Sequence, residues 1–94
     1  MKIRWSPTAV SDLKSIRDYI AKDSPAAATR VAKRIKEAID RLSSFPLSGR
    51  AGRVTETREL VIPGTSYIAA YTIEAEEVRI TAVLHGRHSW PDSF

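Results

Sequence analysis

An amphipathic segment of about twenty residues, Pro25 to Ser44, constrains the fold of this chain more than any other feature. At 100° per residue, its apolar side chains fall on one arc and its charged side chains on the opposite arc. The apolar arc consists of Ala28, Val31, Ile35, Ala38, Ile39 and Leu42. A helix with one apolar stripe must bury it against another layer. The rest of the chain therefore has to supply that layer.

A second helix precedes this one and begins in the same way. Ser6–Pro7 and Ser24–Pro25 each place a capping hydroxyl before a proline suited to the first helical position. The segment after Pro7 repeats apolar residues at spacings of four, three and four, which predicts one apolar stripe. That stripe consists of Ala9, Leu13, Ile16 and Ile20. Two helices joined by so short a link predict a helical hairpin.

Four segments have the pattern of strands. Residues 2–5 alternate and predict a short first strand, and residues 57–62, 67–73 and 78–85 are β-rich runs separated by short turns. Residues 46–53 are interpreted as a loop. The three later strands are expected to pair antiparallel, because their spacing is that of hairpins. The predicted fold is α+β, in the order β-α-α-β-β-β, with the helical hairpin covering the sheet as a two-layer sandwich.

Composition narrows the classes of protein further. At 94 residues the chain is expected to form a single domain, 1–94. It has no cysteine, which excludes disulfides and thiolate metal sites. No apolar run approaches the roughly 20 residues of a membrane span, and the N-terminus lacks the apolar part of a signal peptide. A cytoplasmic protein without membrane contact is expected.

The net charge of +4 is unevenly distributed along the chain. Residues 1–50 hold eleven Lys or Arg and five Asp or Glu, whereas residues 51–94 hold four and six. A basic half indicates an acidic partner, either a nucleic acid or an acidic protein segment. On the predicted second helix, Glu37 and Asp40 interrupt the basic face and no aromatic residue is interleaved, which favours a solvated face.

Three arginines, Arg50, Arg53 and Arg58, flank the start of the second strand. They would form a cradle for phosphate or carboxylate, or lie as solvated loop charges. Tyr67 and Tyr71 are four residues apart on one strand and share a face, where they would stack bases or pack with their hydroxyls at the rim.

The C-terminal segment "VLHGRHSWPDSF" brings His85, Arg87, His88 and Trp90 close together in sequence. RNA cleavage by 2′-hydroxyl attack needs a base, an acid and a cation, and these residue types supply all three. The alternative is a strand end with ordinary polar residues, where Trp90 folds back to close the edge of the core.

The chain resembles the ParE branch of the ParE/RelE toxin superfamily of bacterial type II toxin–antitoxin modules. The resemblance lies in "WSPTAVSDL" (5–13), "DYIA" (18–21), "FPLSGRAGR" (45–53), "TREL" (57–60), "PGTSYIAAY" (63–71) and "VLHGRHSWP" (83–91). It covers nearly the whole chain and implies the β-α-α-β-β-β fold predicted above. It also implies a ParD-like antitoxin, which dimerises through a DNA-binding part and wraps the toxin with its C-terminal tail.

The two branches of the superfamily imply different targets. ParE-like members inhibit DNA gyrase by binding, whereas RelE-like members are ribosome-dependent mRNA endonucleases. RelE-type sites resemble a set of lysine, arginine and a C-terminal tyrosine, or a glutamate with a His-Tyr pair. Here Gly86 follows His85 and no tyrosine follows Tyr71, although Glu59 and His85 remain a possible acid–base pair. We expect a gyrase-binding toxin rather than an enzyme, with the RelE-type nuclease as the alternative and a toxin homologue with another target as a third class.

These inferences define two sets of candidate residues. The candidates for contact with the target are Arg50, Arg53, Arg58, His85, Arg87 and Trp90. The candidates for contact with the antitoxin are Leu13, Ile16, Arg17, Ile20, Arg34 and Arg41. No catalytic residue, cofactor or metal is expected, and operator DNA is expected to be bound only through the antitoxin.

Overall fold

The fold was analysed in a computed structural model that describes residues 1–87 and 90–94. Its elements, in chain order, are β1 (Lys2–Trp5), α1 (Pro7–Ala21), α2 (Pro25–Asp40), a 3₁₀ turn (Arg41–Ser43), β2 (Arg50–Ala51), β3 (Arg58–Val61), β4 (Tyr67–Glu74) and β5 (Glu77–His85). In this part of the chain, no helix has the length and apolar character needed to cross a membrane.

Both helices begin where the Ser-Pro pairs predict. The Ser6 hydroxyl accepts a hydrogen bond from the backbone N–H of Ala9 at 3.0 Å, and the Ser24 hydroxyl accepts one from Ala27 at 3.1 Å. Each proline occupies the first helical turn, where a missing N–H costs nothing. The sequence predicts that α2 ends at Ser44, but the α-helix ends earlier, at Asp40. The chain then tightens into a 3₁₀ turn before Phe45–Pro46.

The strands form one mixed sheet in the order β1-β5-β4-β3-β2. The predicted antiparallel pairing of the three later strands is confirmed in β3, β4 and β5. Strand β1 pairs parallel with β5, which is possible because the whole helical hairpin and the later strands lie between them in sequence. The predicted α+β two-layer architecture is therefore confirmed.

One detail of the predicted topology is wrong, because residues 46–53 are not entirely loop. Arg50 and Ala51 form the two-residue strand β2, which pairs with Glu59 and Arg58 of β3. Its pairing depends on contacts distant in sequence. The buried Tyr71 hydroxyl accepts a hydrogen bond from the Gly49 N–H at 2.9 Å and donates one to the Pro46 carbonyl at 2.7 Å. The chain after the helical hairpin thus contributes four strands rather than three.

The core lies between the helices and one face of the sheet. It contains Ala9, Ile16, Ile35, Ala38, Ile39, Leu42, Ile62, Ala69, Tyr71, Val78, Ile80 and Val83. Leu13, Ile20 and Val31 pack at its margin. Of the predicted apolar arc of α2, all but Val31 are buried, and Ala32 joins them.

The packing of α2 generates a stability prediction. Ile35 and Leu42 have no exposed surface, so replacing either with Ala removes burial and leaves a cavity. We expect the free energy of unfolding to fall by about 2–5 kcal/mol for Ile35→Ala or Leu42→Ala in urea melts. Val10→Ala on α1, where Val10 is 56% exposed, is the matched control and should change it by less than about 0.5 kcal/mol. An equal loss of unfolding free energy in the core variants and in the control variant would contradict this packing.

Candidate functional site

The sheet face opposite the helices carries a buried carboxylate between two arginines. Glu59 on β3 is 3% exposed and lies opposite Arg50 of β2 in the register. Its Oε1 accepts hydrogen bonds from Arg50 Nη2 at 3.2 Å and Nε at 3.4 Å. Its Oε2 accepts them from the backbone N–H of Arg53 at 2.7 Å and from Arg53 Nε at 3.2 Å. The carboxylate therefore holds both the short strand and the following loop.

Glu59 is ionised in this setting. Burial opposes its charge, but the backbone hydrogen bond from Arg53 and the guanidinium groups of Arg53 and Arg50 outweigh burial and lower its pKa. Two cations surround one anion, so the cluster keeps an excess positive charge. Both arginine side chains remain about half exposed, at 58% for Arg50 and 41% for Arg53. They can still bind an anion outside the protein.

Trp90 extends this site towards the C-terminus. The Arg53 guanidinium lies over the Trp90 ring, 3.8 Å from its centroid, in a cation–π contact. The indole Nε1–H donates a hydrogen bond to the His85 carbonyl at 3.3 Å, and the ring meets Phe94 edge-on with centroids 6.4 Å apart. Trp90 therefore folds back, as predicted, but it packs under Arg53 on the face opposite the helices.

Successive side chains of β3 point to opposite faces of the sheet, so Arg58 lies on the other face from Glu59 and its two arginine partners. It lies beside Tyr71 in the register and donates hydrogen bonds to the Gly49 carbonyl at 2.7 Å and the Leu47 carbonyl at 3.5 Å. Tyr71 is fully buried, which settles its interpretation as packing, and burial raises its pKa against the opposing effects of Gly49 and Arg58. A Cβ on Gly49 would overlap the Tyr71 phenol, so the loop needs glycine there.

His85 lies on the helix side of the sheet. It pairs with Tyr67 in the register, and the two rings meet edge-on with centroids 5.5 Å apart. Its Nδ1 accepts a hydrogen bond from the backbone N–H of Arg87 at 3.1 Å, while the Arg87 residue is exposed. His88, the other histidine singled out in the sequence, lies outside the described residues.

The register excludes Glu59 and His85 as an acid–base pair. Glu59 shares a face with Ala70, its partner on β4, and His85 shares a face with Tyr67. Tyr67 and Ala70 are three residues apart on one strand, so their side chains point to opposite faces of the sheet. The two groups cannot act on one substrate atom.

The candidate antitoxin residues divide among four places. Leu13 and Arg17 line a groove of about 440 Å³ with Trp5, Val10, Lys14, Lys36 and Asp40. Ile16 is buried and forms the floor of a second groove, and Ile20 packs at the core margin. Arg34 and Arg41 lie on the other side of α2, beside Pro63.

The second groove, of about 550 Å³, contains a residue that the sequence analysis did not single out. Tyr19 is 69% exposed there, beside Asp12, Tyr67 and His85. Burial, with the Tyr19 phenol as a second cause, raises the pKa of Tyr67. Tyr19 was detectable as a large aromatic residue on the polar face of α1. Within residues 1–87 and 90–94, no three His, Asp or Glu side chains converge as a metal site.

Comparison with known proteins identifies the family. A family described as the ParE toxin of the type II toxin–antitoxin system parDE matches residues 3–90. The chain belongs to this ParE toxin family. It is similar to the putative toxin Y4kP of Sinorhizobium fredii, with 46% identity over 90 residues, covering 96% of this chain and 93% of that protein. It is also similar to the toxin RelE2 of Caulobacter vibrioides, with 37% identity over 84 residues, covering 89% and 93%.

Solved structures of toxins have the same fold as this ParE-family chain. A chain of the chromosomal ParDE system of P. aeruginosa superposes with a TM-score of 0.81 at 24% identity, covering 90% of this chain and 95% of that one. A chain of the RelBE2 toxin–antitoxin complex of Mycobacterium tuberculosis gives 0.61 at 27% identity, covering 89% and 95%. These likenesses show the fold, and the family match over residues 3–90 shows that the chain is a toxin of the type II toxin–antitoxin class.

The ionised Glu59 predicts a specific pH dependence of stability. Its pKa is lowered in the folded state, so its contribution is present above the unfolded value of about 4.5 and is lost as pH falls through the folded value. Glu59→Gln should lower the free energy of unfolding by about 1.5–3 kcal/mol at pH 7. In urea melts at pH 7, 4.5 and 3, the gap between wild type and variant should narrow as the pH falls.

The control for this measurement is Glu76→Gln, which removes one exposed carboxylate from the β4–β5 turn and should change stability at pH 7 by less than about 0.5 kcal/mol. A gap between wild type and Glu59→Gln that stays constant down to pH 3 would show that Glu59 is not held ionised.

Proposed function

We propose that this toxin inhibits DNA gyrase by binding to it, and that a ParD-like antitoxin neutralises it in the bacterial cytoplasm. Membership of the ParE toxin family supports activity as the toxin of a toxin–antitoxin system. The observation that carries the choice of binding over catalysis is the Glu59 cluster. Its carboxylate is occupied by the two arginines and lies on the face opposite His85, so it is not available as a general base or acid.

The target surface in this proposal is the sheet face opposite the helices, and the exposed Arg87, three residues before Trp90 in the sequence, is assigned to it. Arg50 and Arg53 are fixed in position by Glu59 and keep exposed N–H groups, so they lose little conformational entropy on binding a carboxylate or phosphate. Trp90 adds an aromatic surface next to Arg53. Arg58 and His85 lie on the other face, where they support the loop and the strand end.

The antitoxin surface in this proposal is the groove between the helices and β1. Trp5, Val10 and Leu13 give it an apolar floor, and three cations against Asp40 give it a positive rim. An acidic amphipathic segment suits that combination in the helix-in-groove mode. An antitoxin partner is supported by the family, which belongs to the toxin–antitoxin system parDE, and by the structural neighbours, which come from a ParDE system and a RelBE2 toxin–antitoxin complex.

The second candidate is a ribosome-dependent mRNA endonuclease, favoured by the likeness to proteins named RelE2 and RelE1 at 37% and 30% identity. The two functions require different target molecules in an assay. A gyrase inhibitor acts on purified gyrase and plasmid without ribosomes, whereas the nuclease cleaves mRNA on programmed ribosomes and leaves supercoiling unchanged.

The test compares two arginine variants in two assays. Arg87 and Arg17 are both exposed; Arg17 lines the proposed antitoxin groove, and we assign Arg87, three residues before Trp90 in the sequence, to the proposed target surface. We expect Arg87→Gln to inhibit gyrase supercoiling roughly 10- to 100-fold less than wild type while binding the antitoxin normally, because one charge-assisted contact is lost. Arg17→Gln should show the reverse.

Wild-type toxin that leaves supercoiling unchanged, cleaves mRNA on ribosomes and loses that activity with His85→Ala would overturn the proposal in favour of the nuclease. Inhibition of gyrase that neither arginine variant changes would locate the target surface elsewhere on the toxin.

A further inference from the structure

A second basic surface lies on the side of α2 away from the proposed antitoxin groove. We name it the α2 basic groove and define it by Arg30, Lys33, Arg34, Glu37, Arg41 and Pro63, which enclose about 360 Å³. Its five charged residues are exposed, and they sum to +3. Lys33 lies 3.8 Å from Glu37, and no other cation of the groove has an acidic partner within 4 Å among the described residues.

The fold holds this row of charges in a defined arrangement. All but Arg41 lie on one rigid helix, and Arg41 caps its end. At 1.5 Å per residue, Arg30 and Arg41 are about 16 Å apart along the axis. The Arg34 guanidinium lies against the turn at Gly64, which has a φ of 75°, and a Cβ at that position would overlap it.

The composition of the groove distinguishes between kinds of partner. A protein partner needs apolar or aromatic anchors in a pocket, and among residues 1–87 and 90–94 only Pro63 is a non-polar residue that lines this one. A single-stranded nucleic acid needs aromatic side chains for base stacking, and none of the described residues that line the groove is aromatic. A duplex needs only cations spaced along its backbone, where each strand carries one phosphate per 3.4 Å of axis.

We propose that the α2 basic groove binds the phosphate backbone of double-stranded DNA without sequence preference. The four cations lie within about 16 Å along the axis of α2, a length over which a duplex presents several phosphates, so each cation can contact a phosphate. The toxin then makes its own contact with DNA, in addition to any contact made through the antitoxin. This inference is independent of gyrase being the target, because it concerns another surface and a different ligand.

The test measures binding of the full 94-residue chain, without antitoxin, to a fluorescein-labelled 20-base-pair duplex by fluorescence anisotropy at 25–200 mM NaCl. Four phosphate contacts predict that log K falls with log salt with a slope of about −3 to −4. Arg30→Gln combined with Arg34→Gln should weaken binding at least tenfold at 50 mM NaCl and reduce the slope by about 2. Glu37→Gln should strengthen binding several-fold, because it removes the acid of the groove.

The matched control is Lys2→Gln combined with Lys22→Gln, which removes the same charge from β1 and the C-terminal cap of α1, outside the groove. It should weaken binding less than threefold. Circular dichroism checks that each exposed variant is folded. The proposal is overturned if wild type shows no salt-dependent binding, if the control loses as much affinity as the groove variant, or if a 20-nucleotide single-stranded RNA binds more tightly than the duplex.

Discussion

The ion pairing of Glu59 with Arg50 and Arg53 is the interaction on which the candidate target surface depends. A buried carboxylate without partners is strongly destabilising, so its hydrogen bonds from the two arginines are a condition of the fold. Those bonds hold β2 against β3 and place Arg53 over Trp90. The same constraint removes Glu59 from acid–base chemistry and leaves the arginines as positioned cations. The pairing of β2 and the proposed target surface therefore depend on one charged group.

The two layers of the fold divide the molecule into surfaces with different chemistry. The helix layer presents a groove with an apolar floor and a basic rim on one side of α2, and a groove lined almost entirely by charge on the other. The sheet layer presents rigid arginines and an indole. The contacts proposed with an antitoxin, a target and DNA therefore use separate faces of the molecule.

Local signals in the sequence predicted the local elements well. The Ser-Pro pairs predicted both helix starts, residues 2–5 predicted β1, and β3, β4 and β5 lie within one residue of their predicted ends.

Strand β2 escaped prediction because two residues carry no periodicity, and its pairing depends on Tyr71 and Glu59, which are distant in sequence. The parallel pairing of β1 with β5 is likewise set by tertiary packing, which the residue pattern within a strand does not specify. The arginines were singled out by residue type, but only the register separates Arg58 from Arg50 and Arg53, and only the register places His85 away from Glu59.

The most direct test of the central claim, that the toxin acts by binding through the sheet face opposite the helices, is hydrogen–deuterium exchange of the toxin with and without purified gyrase. We expect slower amide exchange in residues 50–53 and 90–94 when gyrase is bound, with unchanged exchange in α1. Antitoxin should instead slow exchange in α1. Gyrase-induced protection confined to α1, or no change in exchange at any position in the presence of saturating gyrase, would rule out the sheet face as the target surface.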